Sequence, residues 1–220
     1  MTNVMTSFEK TSRNTVKRMP ARGQYDKAII YPIIDSALIC HVGFVQDGQP
    51  FVIPTIHARQ GDSIFLHGAK ASRMLKQIAS GEPVCITVTH VDGLVLARSV
   101  FHHSMNYRSA TVFGRGRLVE DEAEKFDALA VITEHLMPGR WTDARQPTPL
   151  EMNATTVVEI FIESASAKMR NGPPSDDEED YALPVWAGVL PMRAQWLAPE
   201  QDEKLRKGIE LPDYLQAALG

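Results

Sequence analysis

The feature that most restricts the fold is a series of extended, β-branched and aromatic runs between residues 38 and 119, separated by the turn dipeptides Asp47-Gly48, Gly61-Asp62 and Asp92-Gly93. Such runs satisfy their backbone groups by pairing, and two-residue turns of this composition join neighbours antiparallel. Strands are expected over 38–46, 49–59, 63–67, 84–91, 94–99 and 108–119, with two more at 155–163 and 185–196. Pro54 has no N–H to give a ladder, so its strand belongs at a sheet edge or beside a bulge. Two helical stripes interrupt the series. Ala71, Met74, Leu75, Ile78 and Ala79 share one face and stop at Gly81 and Pro83. Phe126, Leu129, Ala130, Thr133, Leu136 and Met137 share another, with acidic residues in its first turn and Pro138-Gly139 at its end. A third stripe covers 29–38, where Pro32 leaves the starting residue open. Many short strands with few helices predict a mainly β, α+β domain: an antiparallel barrel, closed or partly closed, with helices outside.

A chain of 220 residues suits one core, assigned to 25–197. Residues 1–24 are polar, carry Arg13, Lys17, Arg18 and Arg22, and are expected as an arm that stays loose unless it docks on a partner. Residues 198–220 are a tail with a short amphipathic helix at 211–219, and the Pro, Gly and Asp-rich stretch 171–180 is a surface loop. The formal charge of −4, from 23 basic and 27 acidic residues, gives no overall attraction to nucleic acid or anionic lipid. No stretch has membrane-spanning or signal-peptide character, and Cys40 and Cys85 sit in apolar runs as buried thiols, so the expected setting is the cytoplasm.

The chemistry concentrates in two segments. In 63–75 a strand passes through His67, Gly68 and Ala69 into a helix, a junction whose free N–H groups attract anions. Ser72 adds a hydroxyl, Arg73 a planar fork suited to phosphate, and Lys70 a mobile charge, while Gly68 admits a flat ligand close to the backbone. The competing reading is a plain turn with exposed basic side chains. The segment 98–109 holds His102, His103, Ser104, Asn106, Tyr107, Arg108 and Ser109 between apolar strands, either as a site or as a hydrogen-bonded corner. Adjacent histidines without further ligands do not make a metal site, and none is assigned. Gly114-Arg-Gly116 lacks the third glycine of a dinucleotide fingerprint and reads as a barrel bend. No serine has a nucleophile-elbow context, and the acidic run 176–180 lacks EF-hand alternation.

In order and spacing, Phe51-Val-Ile-Pro-Thr55, Leu66-His-Gly-Ala69 with Ser72-Arg73, the 101–109 segment and Leu183-Pro-Val-Trp-Ala-Gly188 resemble the pyridoxamine 5′-phosphate oxidase-like FMN-binding split-barrel superfamily, in its flavin-nucleotide-binding and nitroimidazole-resistance-like branch. The resemblance covers residues 25–191. It implies a homodimer with FMN at the interface. Ile53, Pro54 and Thr55 would line the isoalloxazine, His67 and Gly68 would lie beside the ring and ribityl chain, and Ser72 and Arg73 would hold the phosphate. Ser109 would touch the flavin edge, and Trp186 would cover the ring from the other subunit. Met74 stands where the vitamin B6 oxidases carry a second basic residue, and no arginine pair follows Trp186, which argues against a phosphorylated pyridine substrate. The expected activity is an FMN-dependent oxidoreductase passing electrons from a reduced nicotinamide to a small acceptor, with His67, Tyr107, His102 or His103 as proton carrier. The alternatives are a haem-binding protein ligated through His41, His57, His67, His90, His102 or His103, and a non-catalytic flavin store or sensor.

Overall fold

The computed structural model describes residues 6–219; residues 1–5 of the expected arm and residue 220 of the tail lie outside the described residues. The elements are β1 (Gly23–Gln24), α1 (Lys27–Asp35), β2 (Ile39–Gln46), β3 (Gln49–Ile56), β4 (Ala58–Gln60), β5 (Ser63–Ala69), α2 (Arg73–Ala79), β6 (Pro83–Leu96), β7 (Ser104–Leu118), α3 (Glu122–Leu136), α4 (Arg140–Asp143), α5 (Pro149–Ala154), β8 (Thr155–Arg170), β9 (Gly188–Pro191) and α6 (Asp213–Leu219). All pairings are antiparallel, in the order β3-β2-β6-β7-β8-β5-β4, with β1 on β8 and β9 on β6. The sheet curls until β3 approaches β5 without a ladder between them, so the barrel has an open seam. Pro54 sits on β3, the edge strand at that seam, where its missing N–H breaks no ladder.

Alternation along the strands fills the barrel with Val42, Ile64, Leu66, Ile86, Val88 and Ile160, and α1 and α2 add Ile30, Ile34, Leu75 and Ile78. Fully burying one such aliphatic side chain is worth about 1.5–3 kcal/mol. A smaller core of Phe65, Val119, Ala128, Ile132 and Val157 lies under α3. Pro32 falls inside α1 and withholds the N–H that would have bonded Ala28. The end of this helix is held instead by three imidazoles. Nε2 of His90 donates to Ile33 O (3.0 Å), Nε2 of His57 to Ile34 O (3.1 Å) and Nε2 of His135 to Ala37 O (2.8 Å). The carbonyl acceptors fix each of those nitrogens as the protonated one.

The structure departs from the sequence expectation in several places; among them, the expected strand 49–59 is divided into β3 and β4, and the strand expected over 155–163 extends to Arg170 in β8. Asp92-Gly93 is no hairpin turn: β6 runs through it with a bulge between Val91 and Gly93, and a Cβ on Gly93 would lie 2.8 Å from Leu190 O of β9. The glycine there admits a neighbouring strand. The expected strand 185–196 shortens to β9, whose four residues pair with Gly93 to Leu96 of β6. The short helices α4 and α5 were not anticipated; α5 has a capping box of Thr148 and Glu151. Finally, the described part of the N-terminal arm is folded onto its own barrel rather than loose. Phe8 is buried, Ser7 bridges Asp26, Arg13 pairs with Glu163, and Asn14, 2 % exposed, donates to Ala165 O at 3.1 Å. Polar composition hid this, because the anchor is one buried asparagine and one phenylalanine.

Candidate functional site

The seam between β3 and β5 gathers most of the residues singled out from sequence. Ile53, Pro54 and Thr55 pair with Val42, His41 and Cys40 of β2, which leaves the opposite edge of β3 without a ladder partner. His67 and Gly68 occupy the end of β5, opposite Val157 and Thr156 of β8. Two residues after Lys70, Ser72 caps α2 by accepting from Leu75 N at 3.4 Å. Arg73 opens that helix and folds back across the seam, its guanidinium carbon 4.3 Å from the Phe51 ring centroid. This stacking ties the α2 turn to β3. The sequence makes Phe51 part of a strand, and its role as a platform for Arg73 appears only in three dimensions. Lys70 turns elsewhere and donates to Asn153 Oδ1 at 2.7 Å.

Two groups at the seam have unused hydrogen-bonding capacity. Among the described residues Arg73 has no carboxylate partner, so its charge-assisted donors are uncommitted. Nδ1 of His67 is buried without a hydrogen-bond partner, an arrangement that is unfavourable unless something supplies one. Burial also lowers the His67 pKa, keeping the imidazole neutral near pH 7. Gly68 leaves its surroundings open up to Leu75, whose Cδ1 would lie 3.2 Å from an added Cβ.

The other sequence candidates lie apart from this group. Ser109, on β7, donates to Lys168 O at 3.2 Å. Trp186 precedes β9, packs its ring against Gly188 and is 62 % exposed. Among the described residues no hydrogen bond, ion pair or aromatic contact joins either of them to the seam. Three of the four proton-carrier candidates line a separate polar cavity of about 510 Å³: His102, His103 and Tyr107. His102 lies 3.3 Å from Asp177 Oδ2, and Nδ1 of His103 is 3.0 Å from Ser99 O. The ligand atoms of His102, Asp177 and Asp180 fall within 4.8 Å of one another, where the 100–102 turn meets the 177–180 segment; His102 and Asp180 are half-buried. Only His67 belongs to the seam. Of the histidines considered for haem, His57 and His90 have Nε2 committed to α1, while His41, His67, His102 and His103 do not.

Many solved structures are similar to this chain, and three of them follow. The flavocytochrome Anf3 from Azotobacter vinelandii matches at 40% identity over 96% of this chain and 98% of that one, with a TM-score of 0.89. The FAD and heme binding protein from Mycobacterium smegmatis matches at 33% identity over 90% and 98%, with a TM-score of 0.86. A putative 5-nitroimidazole antibiotic resistance protein from Bacteroides thetaiotaomicron matches at 26% identity over 65% and 83%, with a TM-score of 0.56. No curated protein matched the chain. No helix among the described residues is long and apolar enough to cross a membrane. The sequence model of the family described as pyridoxamine 5′-phosphate oxidase matches residues 26–169, and with that match and the shared split barrel, this chain belongs to the pyridoxamine 5′-phosphate oxidase-like family.

Proposed function

We propose that this protein is a flavin-dependent oxidoreductase whose cofactor lies in the seam between β3 and β5. The observation that carries the reading is that two groups on the β5–α2 side of that seam are incomplete: the guanidinium of Arg73, without a carboxylate and stacked on Phe51, and the partnerless Nδ1 of His67. Arg73 and Ser72 suit the phosphate that FMN and FAD share, and FMN is the occupant the family resemblance favours. His67 and Gly68 suit the ribityl side, and Ile53 to Thr55 offer a flat strand edge to the ring. A bound flavin supplies the hydride and electron chemistry. The chain's part is to hold the phosphate, exclude water from the apolar edge of β3, and keep a neutral imidazole at Nδ1 of His67 able to exchange a proton. Electrons would come from a reduced nicotinamide and pass to a small acceptor in the cytoplasm.

Assembly as a homodimer belongs to the same reading. Val100, Phe101, Trp186, Trp196 and Leu197 are large apolar side chains left exposed, Phe101 by 86 %. A second copy covering them would let Ser109 and Trp186 of the partner subunit reach a flavin that they do not approach within their own chain.

Haem as an additional group has its own support. Two proteins similar over nearly the whole chain are described as a flavocytochrome and as an FAD and haem binder, and four histidines here are not committed to α1. The absorption spectrum of the purified protein, with identification of the released ligand, tests both. Flavin bands are expected, and a Soret band is expected if haem co-purifies. Protein that neither carries nor takes up a flavin contradicts the principal reading.

A further inference from the structure

The cavity beside Tyr107 is walled by elements that meet only after folding: the N-terminal segment through Arg18, Met19 and Arg22, the 101–104 turn, the end of β8 through Lys168 and Arg170, and the 175–177 loop. Four cations face two carboxylates there, in a chain whose formal charge is −4. Both carboxylates are already engaged. Asp176 accepts from the backbone N–H groups of Arg98 (2.9 Å) and Ser99 (3.1 Å) and pairs with the Arg98 guanidinium, and Asp177 faces His102. Among the described residues Arg18, Arg22 and Lys168 have no carboxylate partner. Arg170 donates only to neutral acceptors: Asn106 Oδ1, Gly172 O at 3.0 Å and Pro173 O at 2.9 Å. These bonds fix the orientation of the guanidinium without neutralising it.

We propose that this cavity is a second phosphate-binding site, which takes the adenosine diphosphate moiety of a dinucleotide. Clustered like charges raise the energy of the ligand-free chain, and a diphosphate relieves that energy while matching the planar donors of three arginines. The cluster is held in place. Asn14 locks the segment to β8 on one side of Arg18 and Arg22, and β1 locks it on the other through Gly23 opposite Lys168. Burial, and after it the neighbouring Arg22, lower the pKa of Arg170. Tyr107, His102 and His103 give the cavity ring faces for a base, and its volume of about 510 Å³ is of nucleotide scale. The basic arm noted in the sequence thus acquires a role as one wall of a binding site.

The proposal rests on the reading of the protein as a flavin oxidoreductase, and two sources share the chemistry: the adenylyl half of FAD, and that of a nicotinamide donor. Titration calorimetry with ADP as the probe separates them. ADP is expected to bind the FMN-loaded protein, more weakly as salt is raised, and at least about ten-fold more weakly to an Arg18→Glu/Arg22→Glu variant. Lys168→Gln, with its partly exposed side chain, should give a smaller loss with an unchanged circular dichroism spectrum, guarding against a folding defect in the double variant. Binding that persists when the protein carries FAD assigns the site to the nicotinamide donor, whereas binding abolished by FAD and kept with FMN assigns it to the flavin. Absence of ADP binding, or equal binding by wild type and both variants, overturns the proposal. Flavin retention, read by absorbance in the same samples, reports separately on the β3–β5 seam, so an empty seam and an empty cavity give different results.

Discussion

His57 should make this fold sensitive to acid. Its ring is fully buried between α1 and α3, Nε2–H donates to Ile34 O at 3.1 Å, Nδ1 has no partner, and the His135 ring lies 5.1 Å away. Burial pushes its pKa from 6.5 down to about 4; the bond to Ile34 opposes that shift, and His135 adds to it. Between these two values the unfolded chain binds a proton that the native chain refuses, so native stability falls as the pH drops through the window. Above 6.5 both states are neutral and the full stability is present; below about 4 both are protonated and the loss is complete. A shift of this size corresponds to about 3 kcal/mol. The test is urea unfolding of the apoprotein across that range, wild type against His57→Gln, which keeps a donor for Ile34 O but does not titrate. Carboxylates contribute equally to both proteins and cancel in the difference. Wild type should lose about 3 kcal/mol more than the variant between neutral pH and pH 4. Parallel pH profiles would refute the argument, since they would mean that the native ring titrates as freely as the unfolded one.

Other consequences follow from particular contacts. Replacing Arg73 by alanine should weaken flavin retention by about 1.5–3 kcal/mol, the scale of a charge-assisted hydrogen bond, and equilibrium dialysis against FMN measures it; unchanged affinity removes Arg73 from the phosphate site. Gly114→Ala places a Cβ 2.0 Å from Phe161 O at the β7–β8 bulge, so a loss of at least about 3 kcal/mol and a clear fall in melting temperature are expected. A variant with the wild-type midpoint would show that the bulge relaxes freely. Phe101→Asp with Trp196→Asp should shift sedimentation from dimer toward monomer if a second copy covers this apolar surface, and a wild-type protein that is monomeric at all concentrations discards the dimer.

Local chemistry made much of this protein legible in advance. Alternation and turn dipeptides announce a β-meander wherever one strand face is buried, and the stripe of Met74, Leu75 and Ile78 announces α2, because those patterns depend only on near neighbours. Pro54 pointed to an edge strand for the same reason: a missing N–H is a property of one residue. What only the tertiary structure decided are the contacts between residues far apart in sequence. Nothing near Gly93 says that β9 will lie against it, which made an Asp-Gly pair look like a turn. Nothing near Phe51 announces Arg73, and nothing near Pro32 announces three histidines from other elements at the end of α1. The same limit hid the cavity at Tyr107, whose charge comes from segments about 150 residues apart, Arg18 and Arg22 against Lys168 and Arg170. Periodicity records which face of an element is buried, and carries no information about which distant element buries it.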